Sequence, residues 1–190
     1  MKRIVVLAAA LALLSSCHLI PTQPVSELIG AARRGDADAV TRLIRAGYDP
    51  NERGGVNGWT ALMHAVHKQQ AASVRALLDG GADANARAGK GYTALIMAAG
   101  YGNEEIVRIL LQGGADPTIK ASDGETALAA AVSGTMDIDK WTYGHCQPGT
   151  VRALIENSPS IRNDIVARTA LASKTNCGPV ATLLRQDLQR

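Results

Sequence analysis

The sequence predicts an all-α solenoid of about five stacked helix pairs, and three observations carry that reading. The phrase Thr-Ala-Leu recurs at Thr60, Thr93 and Thr126, at intervals of 33 residues. The stretches "VTRLIRAGYDPN" from Val40, "VRALLDGGADAN" from Val74 and "VRILLQGGADPT" from Val107 align without gaps, each an apolar helical stripe followed by Gly and an Asp-containing turn. The composition agrees, because no Phe, 3% aromatic and 46% hydrophobic residues describe a core of Ala, Leu, Ile and Val. Such units bury their apolar faces only against their neighbours, so the array is stable as a stack and needs atypical ends.

The elements follow in order. In "SELIGAARRGDADAVTRLIRAG" Ser26 holds the Thr slot and Arg33 and Arg34 follow the Ala pair, which reads as an N-terminal repeat with a solvated outer side. Thr60, Thr93 and Thr126 each follow a Gly-containing turn and open an apolar period, so their hydroxyls can cap the first amides of a helix. Ala65, Ala98, Ala99 and Ala131 let inner helices approach closely, and Leu77, Leu78, Leu110, Leu111, Leu154 and Ile155 supply the larger volume of the outer helices. Gly80, Gly81, Gly113 and Gly114 end those helices, where glycine takes a left-handed conformation without steric penalty. The fourth repeat is long. Thr126 to Val151 spans 25 residues against 14 from Thr93 to Val107, and the surplus falls in an insertion near 137–147, "DIDKWTYGHCQ". The last unit, from about Ile165 to Arg190, keeps "ALAS" and "VATLLRQ" but no following finger, and reads as a C-terminal cap.

With G-x-T-A-L-x-x-A opening each unit, the chain closely resembles the ankyrin repeat family, from about Ser26 to the C-terminus. The resemblance implies an all-α ankyrin-repeat solenoid whose helix pairs are joined by short β-hairpin fingers. The sequence departs from the family's T-P-L-H box, with Ala in place of Pro and Met63, Ile96 and Ala129 where its histidine sits. Partners of ankyrin proteins usually meet the concave face, built from finger tips and from the inner helices' ends. Carried onto this chain, those slots are Arg33 and Arg34; Trp59, His67 and Lys68; Arg87, Lys90, Tyr92 and Tyr101; Lys120, Asp123 and Glu125. The set is basic and aromatic, which suits a protein partner with an acidic patch, and exposed Trp, Tyr and Arg are frequent interface hot spots. Against this stands the plainer reading that Trp59 and Tyr92 stack on one another between fingers while the cations form a solvated rim. In the insertion, Trp141 and Tyr143 suggest a second contact element, or a plug over the C-terminal side of the core.

The N-terminus is set apart from this array. Lys2 and Arg3 precede an uninterrupted apolar run from Ile4 to Leu14, too short to span a bilayer and of secretory-signal form. Leu14, Ser15, Ser16 and Cys17 then resemble the bacterial lipobox, which implies that 1–16 is a lipoprotein signal peptide, that Cys17 is the lipid attachment site, and that 17–25 forms the anchor and tether to a 26–190 repeat domain. His18 follows the cysteine where Asp would imply retention in the inner membrane, so the resemblance favours the outer membrane, periplasmic face. Several acyl chains attach firmly, since each buried CH₂ contributes roughly 0.8 kcal/mol. Removing Lys2 and Arg3 from 20 basic residues leaves 18 against 17 acidic ones, so the net charge gives no reason to expect nucleic-acid binding.

Two further cysteines, Cys146 in the insertion and Cys177 in "KTNCGP", fall near equivalent turns of stacked units, and an oxidising compartment favours a disulfide between them over free thiols. A metal held by His145, Cys146 and Cys177 lacks the ligand spacing of an established site. His64 and His67 could share a helix face, but the repeat already accounts for "TALMHA", where Met97 and Ala130 fill the slot of His64 in later units. "GYGNEE" at Gly100 follows a helix rather than a strand, "DIDK" lacks a calcium loop's Gly and Glu, and no nucleophile elbow is present. No catalytic residue, cofactor or metal is therefore expected, and the chain is expected to be monomeric until it binds. The leading expectation is a non-enzymatic, protein-binding lipoprotein that inhibits a periplasmic protein, similar to immunity proteins that neutralise delivered effectors such as lipases. The rival is a periplasmic scaffold or oxidative-stress protection factor.

Overall fold

The computed structural model describes residues 26–55, 58–134, 136–137, 140–141, 146–159, 161, 164, 167 and 177–185. Four helix pairs follow one another: α1 Glu27–Arg34 with α2 Ala37–Arg45, α3 Ala61–His67 with α4 Ala71–Asp79, α5 Ala94–Tyr101 with α6 Glu104–Gln112, and α7 Ala127–Ser133 with α8 Pro148–Asn157. A further helix, α9 Gly178–Arg185, packs on α8 as the outer helix of a fifth unit. Inner helices pack in the order α1, α3, α5, α7, and outer helices in the order α2, α4, α6, α8. Among the described residues no helix is long and apolar enough to cross a membrane.

The capping residues start the inner helices where their hydroxyls reach the third amide. Ser26 Oγ accepts from Ile29 N at 3.1 Å, Thr60 Oγ1 from Met63 N at 3.3 Å, Thr93 Oγ1 from Ile96 N at 3.3 Å and Thr126 Oγ1 from Ala129 N at 3.1 Å. From those starts every residue of α5 is buried, because its Ala and Gly side allows α3 and α7 to close on it from both directions.

The glycine pairs that end α4 and α6 divide two tasks between their members. Only the second of each pair is left-handed, Gly81 at φ +90° and Gly114 at φ +87°. Gly80 and Gly113 have ordinary negative φ, −86° and −81°. They are needed for space: a Cβ on Gly80 would stand 2.5 Å from Ile44 Cδ1, and one on Gly113 2.7 Å from Leu78 Cδ1. Thus α2 presses Ile44 onto the end of α4, and α4 presses Leu78 onto the end of α6. Ala46, in the matching place of the first repeat, is exposed.

The fingers are joined by a polar ladder. Asn51 Oδ1 accepts from Asp83 N at 2.7 Å, and Asn85 Oδ1 accepts from Asp116 N at the same distance. Their amides donate to Gly81 O at 3.4 Å and Gly114 O at 3.1 Å. Thr118 takes the next place and turns inward on its own repeat, donating to Asp116 Oδ1 at 2.7 Å. Among the described residues only the first finger forms a strand ladder, β1 Arg53–Gly54 with β2 Trp59–Thr60. The next two are tight turns closed by Ala88 N to Tyr92 O at 2.9 Å and Ala121 N to Glu125 O at 2.8 Å.

The insertion between α7 and α8 contains a second ladder, β3 Met136–Asp137 with β4 Lys140–Trp141. Cys146 and Cys177 form a disulfide with Cα atoms 5.8 Å apart, which ties the insertion to the start of α9. Cys17, Tyr143, His145 and the side chain of Trp141 lie outside the described residues.

Candidate functional site

The candidate binding side is assembled from the C-terminal turns of the inner helices and from the fingers. Arg33 and Arg34 end α1 and are exposed; Lys68 caps α3 and is half-buried. Lys90, Lys120 and Asp123 are exposed on the fingers, with Tyr92 and Glu125 half-buried beside them.

Thr60 sets the phase of α3, so His64 and His67 fall one turn apart on the finger side, and Trp59 closes over both. Its ring centroid lies 5.4 Å from that of His64 and 5.2 Å from that of His67, tilted by 60° and 59°. The H-x-x-H pair is a seat for Trp59. His67 is 8% exposed, as is Tyr101, and its Nδ1 is 3.1 Å from the Tyr101 hydroxyl. His64 Nε2 is 3.3 Å from Gly54 O. Burial holds the His64 imidazole below its usual range; the Gly54 carbonyl pulls the other way, and Arg33, His67 and Lys68 add to the lowering. Among the described residues no group of three His, Cys, Asp or Glu stands together as a metal cradle.

His67 and Tyr101 are not exposed on the binding face as the sequence predicts, because α3 and α5 approach so closely that both are buried. Nor do Trp59 and Tyr92 stack on one another between fingers as expected: Trp59 turns to the histidines, whereas Tyr92 reaches the following finger. The Tyr92 hydroxyl lies 2.7 Å from Glu125 Oε2 and 3.0 Å from Asp123 Oδ2. It has one hydrogen for two carboxylates. Burial, followed by the two carboxylates, pushes the phenol far up. Burial also raises the Glu125 carboxyl, whereas Asp123 is lowered, first by the Glu125 amide that it accepts.

Arg87 has a duty within the array. Arg53 Nη1 donates to Arg87 O at 2.8 Å and Arg87 Nη2 to Lys120 O at 2.7 Å, so guanidinium groups join finger to finger. Lys90 is left-handed at φ +60°, and its carbonyl accepts from Ser122 N at 2.8 Å. A non-Gly residue held there costs of order 1 kcal/mol, so the contact to the next finger maintains it. Arg53, Asn51 and Asn85 are the positioning residues that motif reasoning passed over. Their signal was present: Asn51 and Asn85 stand in the repeated Asp-x-Asn of "DPN" and "DAN".

Comparison with known proteins gives one consistent result. The family model described as "Ankyrin repeats (3 copies)" matches residues 28–121 and again 74–160. The chain is similar to a mitochondrial disaggregase of Bos taurus, 46% identical over 79 residues, covering 41% of this chain and 12% of that protein. It is also similar to ankyrin repeat domain-containing protein 40 of Mus musculus, 39% identical over 61 residues, covering 32% of this chain and 17% of that protein. The chain thus spans less than a fifth of the length of these relatives.

Proposed function

The chain belongs to the ankyrin repeat family, and from that premise we propose that it is a non-enzymatic lipoprotein that binds and inhibits a periplasmic protein, as an immunity protein against a delivered effector such as a lipase. The family indicates a role in protein–protein interaction. The observation that supports this reading is the array formed by Arg33, Arg34 and Lys68 at the ends of inner helices and by Trp59, Lys90 and Tyr92 on fingers that hydrogen-bond to one another. A surface ordered before binding loses less freedom on association, so its contacts convert more fully into affinity. The cations accelerate encounter with an acidic patch and Trp59 and Tyr92 supply desolvated area. Asp123 and Glu125 add a negative edge, so the acidic partner patch faces the N-terminal half of the array.

The anchor completes the proposal. Lys2, Arg3, the apolar run to Leu14 and the LSSC box at Cys17 support attachment to the outer membrane, facing the periplasm. Capture from periplasmic extract with chain 18–190 is expected to recover one dominant partner, whose enzymatic activity is abolished at equimolar ratio. Arg33→Glu with Arg34→Glu should slow association and weaken its salt dependence, because those exposed charges act through the solvent. Arg87→Glu is a poorer probe, since it also breaks the link to Lys120. Recovery of many envelope proteins without inhibition of any would favour the scaffold or oxidative-stress reading and end the immunity proposal.

A further inference from the structure

At the N-terminal end of the stack, α1 and α2 border a groove of about 700 Å³ with Ala31, Ala39, Leu43 and Ala46 along its floor and Glu27 and Arg42 at its rim. The repeat pattern says what such a place receives. At the end of α4 it receives Ile44 of the preceding outer helix on Gly80, and at the end of α6 it receives Leu78 on Gly113. Ala46 is the same position in the first repeat, and among the described residues no outer helix precedes it. The neighbouring apolar position tells the same story. Leu77, Leu110 and Leu154 are 0% exposed, whereas Leu43 is only partly covered.

We propose that residues 18–25 dock into this groove, with Ile20 or Leu19 taking the place on Ala46 that Ile44 takes on Gly80. The segment "HLIPTQPV" supplies branched aliphatic side chains in Leu19, Ile20 and Val25. It also leads directly there, because Ser26 itself lines the groove. Ser26 lies six positions beyond Ile20, an extended reach of roughly 20 Å. The groove runs beside helices of eight and nine residues, about 12 to 14 Å long. Pro21 and Pro24 favour the extended backbone this path requires and lack amide hydrogens that burial would strand. The Cβ of Ala46 makes the seat shallower than those on Gly80 and Gly113, so this contact is weaker than a full repeat interface. The docking does not depend on lipid at Cys17. Where lipid is attached there, three residues from Ile20, docking draws the N-terminal end of the stack toward the bilayer and orients the concave face relative to it.

A photo-crosslinking residue at position 20 of the full chain, in membranes of cells that express it, tests this directly. The expected product is an adduct within the same chain on peptides carrying Leu43 or Ala46. Ile20→Asp should raise amide hydrogen exchange in α1 and α2 by about tenfold, with α5 and α6 unchanged and Ile20→Leu close to wild type. Adducts formed only between chains, only with lipid, or not at all would overturn the proposal, as would an adduct whose matching Ile20→Asp variant exchanges like wild type. These readouts concern α1 and α2 alone, so failure here leaves the partner-binding reading to its own test.

Discussion

Leu43 and Leu154 hold the same place in the first and fourth repeats, yet Leu43 is only partly covered while Leu154 is 0% exposed. The difference lies in what stands beyond each. Past α8 the chain adds α9, held by the Cys146–Cys177 disulfide, and Val180 joins the core. On the far side of α2 the described residues add no helix. In a solenoid the worth of an apolar residue is delivered by its neighbours, so identical chemistry has different energy at the two ends.

The most direct way to break this comparison is to truncate both leucines. Leu154→Ala is expected to cost about 2 to 5 kcal/mol in chemical denaturation, and Leu43→Ala less than half as much. Equal losses would mean that the N-terminal end is as fully covered as the interior. Next in size is the covalent pin. The two cysteines are 31 residues apart, so Cys146→Ser with Cys177→Ser should lose about 3 to 4 kcal/mol by the chain-entropy model. Hydrogen exchange should rise in α8 and α9 and remain unchanged in α1.

A smaller effect sharpens the comparison at the helix ends. Gly80→Ala pushes a Cβ into Ile44 and is expected to destabilise by about 1 to 3 kcal/mol. Ala46→Gly at the matching exposed place should cost under about 1 kcal/mol. Thermal melting of the two variants checks both values, and a neutral Gly80→Ala would remove the packing explanation for that glycine.

The smallest effect concerns two tyrosines. Tyr48 donates to Glu27 at 3.3 Å on the exposed first repeat, and Tyr92 to Glu125 at 2.7 Å on a half-buried finger. Burial raises the Glu125 carboxyl above its ordinary value of 4.5 in the folded chain. The folded state therefore favours the protonated form, so this contribution is full below that ordinary value and is lost as pH rises through the raised one. Glu125→Gln should accordingly be more stable than wild type at pH 7, by on the order of 0.5 kcal/mol, with the gap closing at acid pH. Denaturation curves at both pH values decide this. Tyr48→Phe should leave the pH profile unchanged.

Much of the architecture could be read from residues alone, because it depends on local chemistry repeated at a fixed interval. Thr60, Thr93 and Thr126 cap helices through amides three residues away, and that contact needs no knowledge of the rest of the chain. The helix pairs, their order and the long fourth unit follow from the same spacing. Contacts between units were decided by the tertiary structure, since they join residues some 30 positions apart whose side-chain directions depend on how the repeats stack. That is why Gly80 serves space while Gly81 serves backbone conformation, although both read as the same helix-end signal. It is also why Arg87, read as a binding cation, spends a guanidinium hydrogen on Lys120. His67 and Tyr101 show the limit most clearly: each has the polarity of a surface residue, and only the close approach that Ala98 and Ala99 permit between inner helices encloses the two together.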